Sequence, residues 1–125
     1  MAKRKPEDLD KLVLTILRST GGRSLSAYGI AEAAPVRITP VQVYRTLDRL
    51  AQRRCVQRIE CLNAWAALPA QANAISVCTS CEIVRPLLSR SIEPAILEAT
   101  GDAHFVPART VVEVIGLCEH CQDAD

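Results

Sequence analysis

Four cysteines stand in two equally spaced pairs, Cys78-Thr79-Ser80-Cys81 and Cys118-Glu119-His120-Cys121, and this pattern constrains the fold more than any other feature of the chain. A two-residue gap lets both thiolates of a pair reach one metal ion, and two such pairs complete a tetrahedral shell, the arrangement of a structural zinc. A closed four-thiolate shell leaves no position for water or substrate, so the pattern points to a staple and away from hydrolysis. The alternatives are a redox dithiol, buried thiols acting as small apolar groups or, in a secreted chain, a disulfide framework. Two such motifs, each beside a strand-like run, favour zinc.

The rest of the sequence divides by charge. In residues 1–60, 12 Lys and Arg face 6 Asp and Glu, whereas 3 face 8 in residues 61–125, so a net charge of +1 conceals a basic and an acidic half. A basic half suits a polyanion and an acidic half does not, so two domains are expected, at 1–68 and 69–125. With 49% apolar and 23% charged residues, the chain reads as globular rather than disordered or membrane-spanning. The N-terminal basic residues precede an apolar run broken by Asp8, Asp10 and Lys11, which is unlike a signal peptide, and a cytoplasmic location is expected.

Leu9, Leu12, Val13, Ile16 and Leu17 recur at spacings of three and four, which predicts a helix opened by Pro6 and ended by Gly21-Gly22. A second helix is expected from Ser26, turning Ile30, Ala31 and Ala34 inward and stopping before Pro35. The third has the fullest local specification: Thr39 as N-cap, Pro40 at the first helical position, and Gln42 completing a capping box. On it Val43, Leu47 and Leu50 form a core stripe, and Arg45, Arg49 and Arg53 line another face. Arginine reads guanine bidentately in the major groove, and Gln42 suits adenine. A plain solvated face is the alternative for the arginines, as are core aromatics for Tyr28 and Tyr44. Residues 56–60 and 64–67 predict a strand pair turning near Leu62-Asn63, so the first half reads as a winged helix-turn-helix that binds double-stranded DNA.

In the second half, residues 69–72 read as a linker, and residues 75–77 and 83–87 as a hairpin whose turn is the first cysteine pair. Ser91 is expected to cap a helix carrying Ile92, Ala95, Ile96 and Ala99 and ending at Thr100-Gly101. Residues 111–115, apolar at four of five positions, predict a strand buried on both faces or covered by a partner's strand. About sixty residues rarely stabilise themselves without a staple, an oligomer or both, so a homodimer is expected alongside zinc. The fold class is therefore α+β, a winged helix-turn-helix followed by a small zinc-stapled α/β dimerisation domain. No paired carboxylates or Ser/His/Asp constellation suggests an enzyme.

Val43-Tyr44-Arg45-Thr46-Leu47-Asp48-Arg49-Leu50 resembles the Val-Tyr-Arg-x-Leu recognition helix of the ferric uptake regulator (Fur) family, and Gly116-Leu117-Cys118-x-x-Cys121 resembles its C-terminal zinc motif. The resemblance runs from about Asp8 to Cys121. Leu25-Ser26-Ala27-Tyr28 and residues 58–65 resemble the zinc uptake regulator branch. The resemblance implies a homodimeric metal-responsive transcription factor with structural zinc on four cysteines, here Cys78, Cys81, Cys118 and Cys121, and with Tyr28 and Arg45 contacting bases. The expected function is a repressor whose two-fold dimer matches a palindromic operator, with Gln42, Tyr44 and Arg49 assisting or holding phosphates. The sequence departs from the family where sensing occurs. Residues 71–77 lack the expected histidine cluster, Gln57 stands where a histidine is expected, Leu68 or its neighbour where a cysteine is expected, and the chain holds only His104 and His120. Cys55 and Cys61, with His104, are candidates for a replacement sensor or redox switch, against the favoured reading of both cysteines as packed thiols. An adaptor that keeps the fold without reading DNA is the alternative function.

Overall fold

The computed structural model describes residues 5–68 and 74–123. The linker expected at residues 69–72 lies outside them. Three helices come first, α1 (Pro6–Arg18), α2 (Ala27–Ala33) and α3 (Pro40–Gln52). Pro6 opens α1, with Glu7 and Asp8 in the first turn and Arg18 in the last, the order the helix dipole favours. The chain leaves α1 through Ser19 and turns at Gly21 and Gly22, both at positive φ. Ser26 caps α2 by accepting from the Gly29 N–H at 3.0 Å. The capping box of α3 is complete: Thr39 Oγ1 accepts from the Gln42 N–H at 3.2 Å, and Gln42 Oε1 accepts from the Thr39 N–H at 2.9 Å. The apolar stripes Leu9, Val13, Ile16 and Leu17 of α1 and Val43, Leu47 and Leu50 of α3 meet with Ile30 in one core, closed by Val56 and Trp65.

The wing is an antiparallel pair, β1 (Gln57–Ile59) and β2 (Ala64–Ala66), joined by a 3-10 turn at Glu60–Leu62 and by Asn63 in the left-handed region. Leu25 bonds Trp65 in both directions at 2.9 and 2.8 Å, adding a one-residue third rung. Ala64, Trp65 and Ala66 are all buried, so this alanine-rich stretch is a strand because both its faces are covered; tertiary packing overrides its weak propensity.

The second half holds β3 (Ala74–Cys78), β4 (Val84–Leu87), α4 (Ile92–Asp102), β5 (Glu113–Gly116) and the short α5 (Glu119–Gln122). The sheet order is β4-β3-β5, with β4 antiparallel and β5 parallel to the central β3. Ile75, Val77 and Val84 share a second core with Ile59 and Ala66 of the wing. The Val84 N–H donates to the Gly22 carbonyl at 2.9 Å, and Arg23 bridges Ile83. Wing and sheet therefore pack as one unit.

Three sequence expectations need correction. Gly101 does not end α4: the helix runs to Asp102, and His104, at φ 55, takes the left-handed position. The Phe105 N–H reaches the Thr100 carbonyl and the His104 N–H the Gly101 carbonyl, a Schellman closure built without glycine. Ser91 occupies the N-cap position of α4, but its side chain makes no capping bond. Burial on both faces of residues 111–115 is also absent. β5 starts only at Glu113, and Val114 and Ile115 are 53% and 56% exposed. No residue of α4 is buried either. Both elements present apolar area that this chain alone leaves uncovered. Among the described residues, no helix is long and apolar enough to cross a membrane.

Candidate metal centre and nucleic-acid face

Cys78 ends β3, and the parallel register sets it opposite Gly116 at the end of β5. Thr79 N–H donates to the Gly116 carbonyl at 2.9 Å, so the chain leaves both strands at the same level. The first knuckle closes through Cys78 and Ile83: the Cys78 N–H donates to the Ile83 carbonyl and the Glu82 N–H to the Cys78 carbonyl, both at 3.0 Å, with Glu82 at φ 64. The second closes as α5, whose first turn returns the Cys121 N–H to the Cys118 carbonyl at 3.0 Å. Each pair is thus folded locally, and the sheet register brings the pairs together.

The four sulfur atoms lie within 4.8 Å of one another, and Cys81 Sγ stands 3.7 Å from Cys118 Sγ. Four thiolates about 2.3 Å from a tetrahedral zinc sit about 3.8 Å apart, so the cage has the size of the ion. Backbone N–H groups of Cys81 and Cys118 stabilise the Cys78 thiolate and outweigh its burial, bringing its pKa down to about 6. The Ser80 hydroxyl lowers the Cys121 value, but the Cys118 and Cys78 thiols, burial and Cys81 together push it up to about 11. Four thiolates this close repel one another, and a divalent cation between them relieves that repulsion. The cage is a structural zinc site.

The prospective DNA face is carried by α2 and α3. Tyr28 projects from α2 at 68% exposure, and Tyr44 and Arg45 are exposed on α3. The three arginines do not share one fate. Arg49 donates to Asp10 Oδ1 through Nε at 3.0 Å and Nη2 at 2.8 Å, and also to Thr46 Oγ1. Arg53 donates to Asp10 Oδ2 at 3.1 Å. Asp10 is buried in the apolar stripe of α1, so two arginines are drawn back to brace α3 against α1. The expected row of three free guanidinium groups is corrected to Arg45 alone. Gln42 is likewise occupied, since its Oε1 closes the capping box, and a bidentate contact to adenine would have to open that cap. Asp10 was legible as the one polar residue on an apolar stripe; its partners lie 39 and 43 residues away and were not.

Cys55, Cys61 and His104 are not brought together. Cys55 packs against the helical core, with its thiol directed to the Arg53 carbonyl at 3.8 Å. Cys61 is exposed in the 3-10 turn, and His104 is exposed at the end of α4. Among the described residues, the only convergent group of three or more metal-binding side chains is the cysteine cage. The packed-thiol reading therefore fits Cys55 and not Cys61. Desolvation, then the hydrogen bond and charge of Glu113, raise the Cys61 thiol above its ordinary value, which disfavours the thiolate that metal binding or oxidation needs. Sequence reasoning missed Glu113 itself, whose carboxylate accepts from the Glu60 N–H at 2.6 Å and the Cys61 N–H at 2.9 Å and ties β5 to the wing.

No family model matches the chain. A zinc uptake regulation protein of Escherichia coli K12 is 23% identical over 125 residues, covering 96% of this chain and 73% of that protein. The crystal structure of holo XcZur superposes with a TM-score of 0.82 at 25% identity, over 93% of this chain and 85% of that one. A zinc uptake regulator complexed with zinc and DNA gives 0.78 at 26% identity, over 90% and 80%. The Helicobacter pylori ferric uptake regulator, at 0.67 and 16%, shares the fold. These relatives are metal-uptake regulators. With the three-helix order, the wing and the four-cysteine cage in their expected places, the chain is similar in sequence and fold to zinc uptake regulators of the ferric uptake regulator family.

Proposed function

We propose that this protein is a transcriptional repressor that binds a palindromic operator as a homodimer, with zinc as a structural element and no conventional regulatory metal site. The observation that carries the reading is Arg45, exposed and without an ion pair among the described residues, on a capped helix whose opposite face is buried in the core. Likeness to a zinc uptake regulator bound to zinc and DNA supports it. In this reading residues 1–68 form the DNA-binding domain and residues 69–125 the dimerisation domain, within the cytoplasm. Arg45 and Tyr28 read bases, Tyr44 contributes exposed aromatic surface, and Arg49 and Gln42 serve mainly to hold α3 in position. The bare apolar surface of α4 and β5 is what a second copy would cover, and two-fold symmetry would match a two-fold operator.

Replacing Arg45 with Ala is expected to weaken binding to the specific operator by about 1–3 kcal/mol, roughly tenfold to a hundredfold, while non-specific DNA loses much less. Fluorescence anisotropy on both DNAs at two salt concentrations measures this. Equal losses on the two would reduce Arg45 to a phosphate contact, and no DNA binding by the unaltered, zinc-loaded dimer would favour the adaptor.

A further inference from the structure

A cavity of about 460 Å³ opens where the end of α3, the wing and the segment before β5 meet, a volume typical of small-molecule sites. Its polar lining is dominated by cations. Arg54, Arg58 and Arg109 face a single carboxylate, Glu60. Glu60 is already shared, accepting from Arg58 at 2.9 Å and Arg109 at 2.7 Å, and Arg54 makes no ion pair among the described residues. The excess of positive charge is therefore met by solvent alone. Most of the remaining wall is apolar, including Val56, Trp65 and Val112, with Gln57 and Thr110 as neutral polar groups.

A metal cation is poorly served here. The lining offers one thiol, Cys55, no imidazole, and a carboxylate neutralised by two guanidinium groups. A unit charge about 4 Å from a like charge meets a repulsion on the order of 4 kcal/mol near a protein surface. An oxyanion meets the reverse: planar guanidinium forks that bind carboxylate or phosphate in two-point fashion. The apolar wall suits a hydrocarbon or aromatic body attached to it. We propose that this cavity is a binding site for a small organic anion, a carboxylate or phosphate carried on an apolar body. Arg109–Glu60 joins the segment before β5 to the wing, so a bound anion would compete with Glu60 for the guanidinium groups that link the halves. The proposal does not rest on DNA binding, and its test uses none.

Trp65 lines the cavity and is the only tryptophan, so its emission reports occupancy. The zinc-loaded full chain is titrated with benzoate and with phenyl phosphate at ionic strength held constant with chloride, and with benzamidine as a cation of the same shape. Saturable emission changes are expected with the anions, with a dissociation constant on the order of 1 mM, and none with benzamidine. Whichever anion binds more tightly identifies the headgroup. Arg54→Gln and Arg109→Gln, both at exposed positions, are each expected to weaken binding about tenfold with zinc content and circular dichroism unchanged. The proposal is overturned if the anions give no saturable response, if benzamidine binds as well as benzoate, or if both variants keep the unaltered affinity.

Discussion

Cys118→Ser is expected to abolish zinc binding, separate the proposed dimer and unfold the second half. The reason lies in how little else holds β5. It is paired on one side with β3, its Val114 and Ile115 side chains are exposed, and no residue of α4, which precedes it, is fully buried. The zinc joins the ends of β3 and β5 across the cage, and the binding free energy of a structural zinc, about 10–16 kcal/mol in small zinc peptides, is folding free energy here. That exceeds what a half of this size gains from its own core. Zinc content by mass spectrometry should fall from one per chain to none, and the mass in solution to that of a monomer. Cys61→Ser, at an exposed thiol outside the cage, should leave both unchanged. A Cys118→Ser protein that kept its melting curve and dimer mass would refute the structural role of the zinc.

The second large effect concerns the recognition helix. Leu47 of α3 is fully buried in the helical core, and Leu47→Ala is expected to cost about 2–5 kcal/mol through lost transfer energy and the cavity left behind. Against a typical stability of about 5–15 kcal/mol that loss is severe. Asp10→Ala, which removes every ion pair described for Arg49 and Arg53, is expected to cost less, about 1–2 kcal/mol, because both guanidinium groups are partly exposed and regain water. Urea unfolding of the two variants decides the order. If Asp10→Ala were the more damaging, α3 would be held chiefly by charge, and the assignment of Arg49 as a brace would become a major stabilising role.

Much of the architecture could be read in advance because its causes are local. The capping box Thr39-Gln42, the spacing of Val43, Leu47 and Leu50, the Ser26 cap and the two-residue gaps between cysteines each act within one or two turns of chain. They are therefore written in adjacent letters, and the structure reproduces them. Gly101 is the usual kind of residue for a left-handed stop, yet the helix runs past it until His104 adopts that conformation, because its neighbours and not its own propensity set where the helix ends. The weakly strand-forming Ala64-Trp65-Ala66 formed a strand because Leu25 and two cores covered it.

From its letters alone this chain declared most of its elements, its cysteine cage and its family resemblance, since each depends on residues close together or on a motif of fixed spacing. Only the tertiary structure decided that β5 lies beside β3 rather than at the hairpin's other edge, that Asp10 withdraws Arg49 and Arg53 from the helix surface and leaves Arg45, and that three arginines distant in sequence surround one cavity. Those outcomes depend on pairings between segments dozens of residues apart. Their energies depend on what each side chain meets after the chain has closed, and no local pattern encodes that meeting.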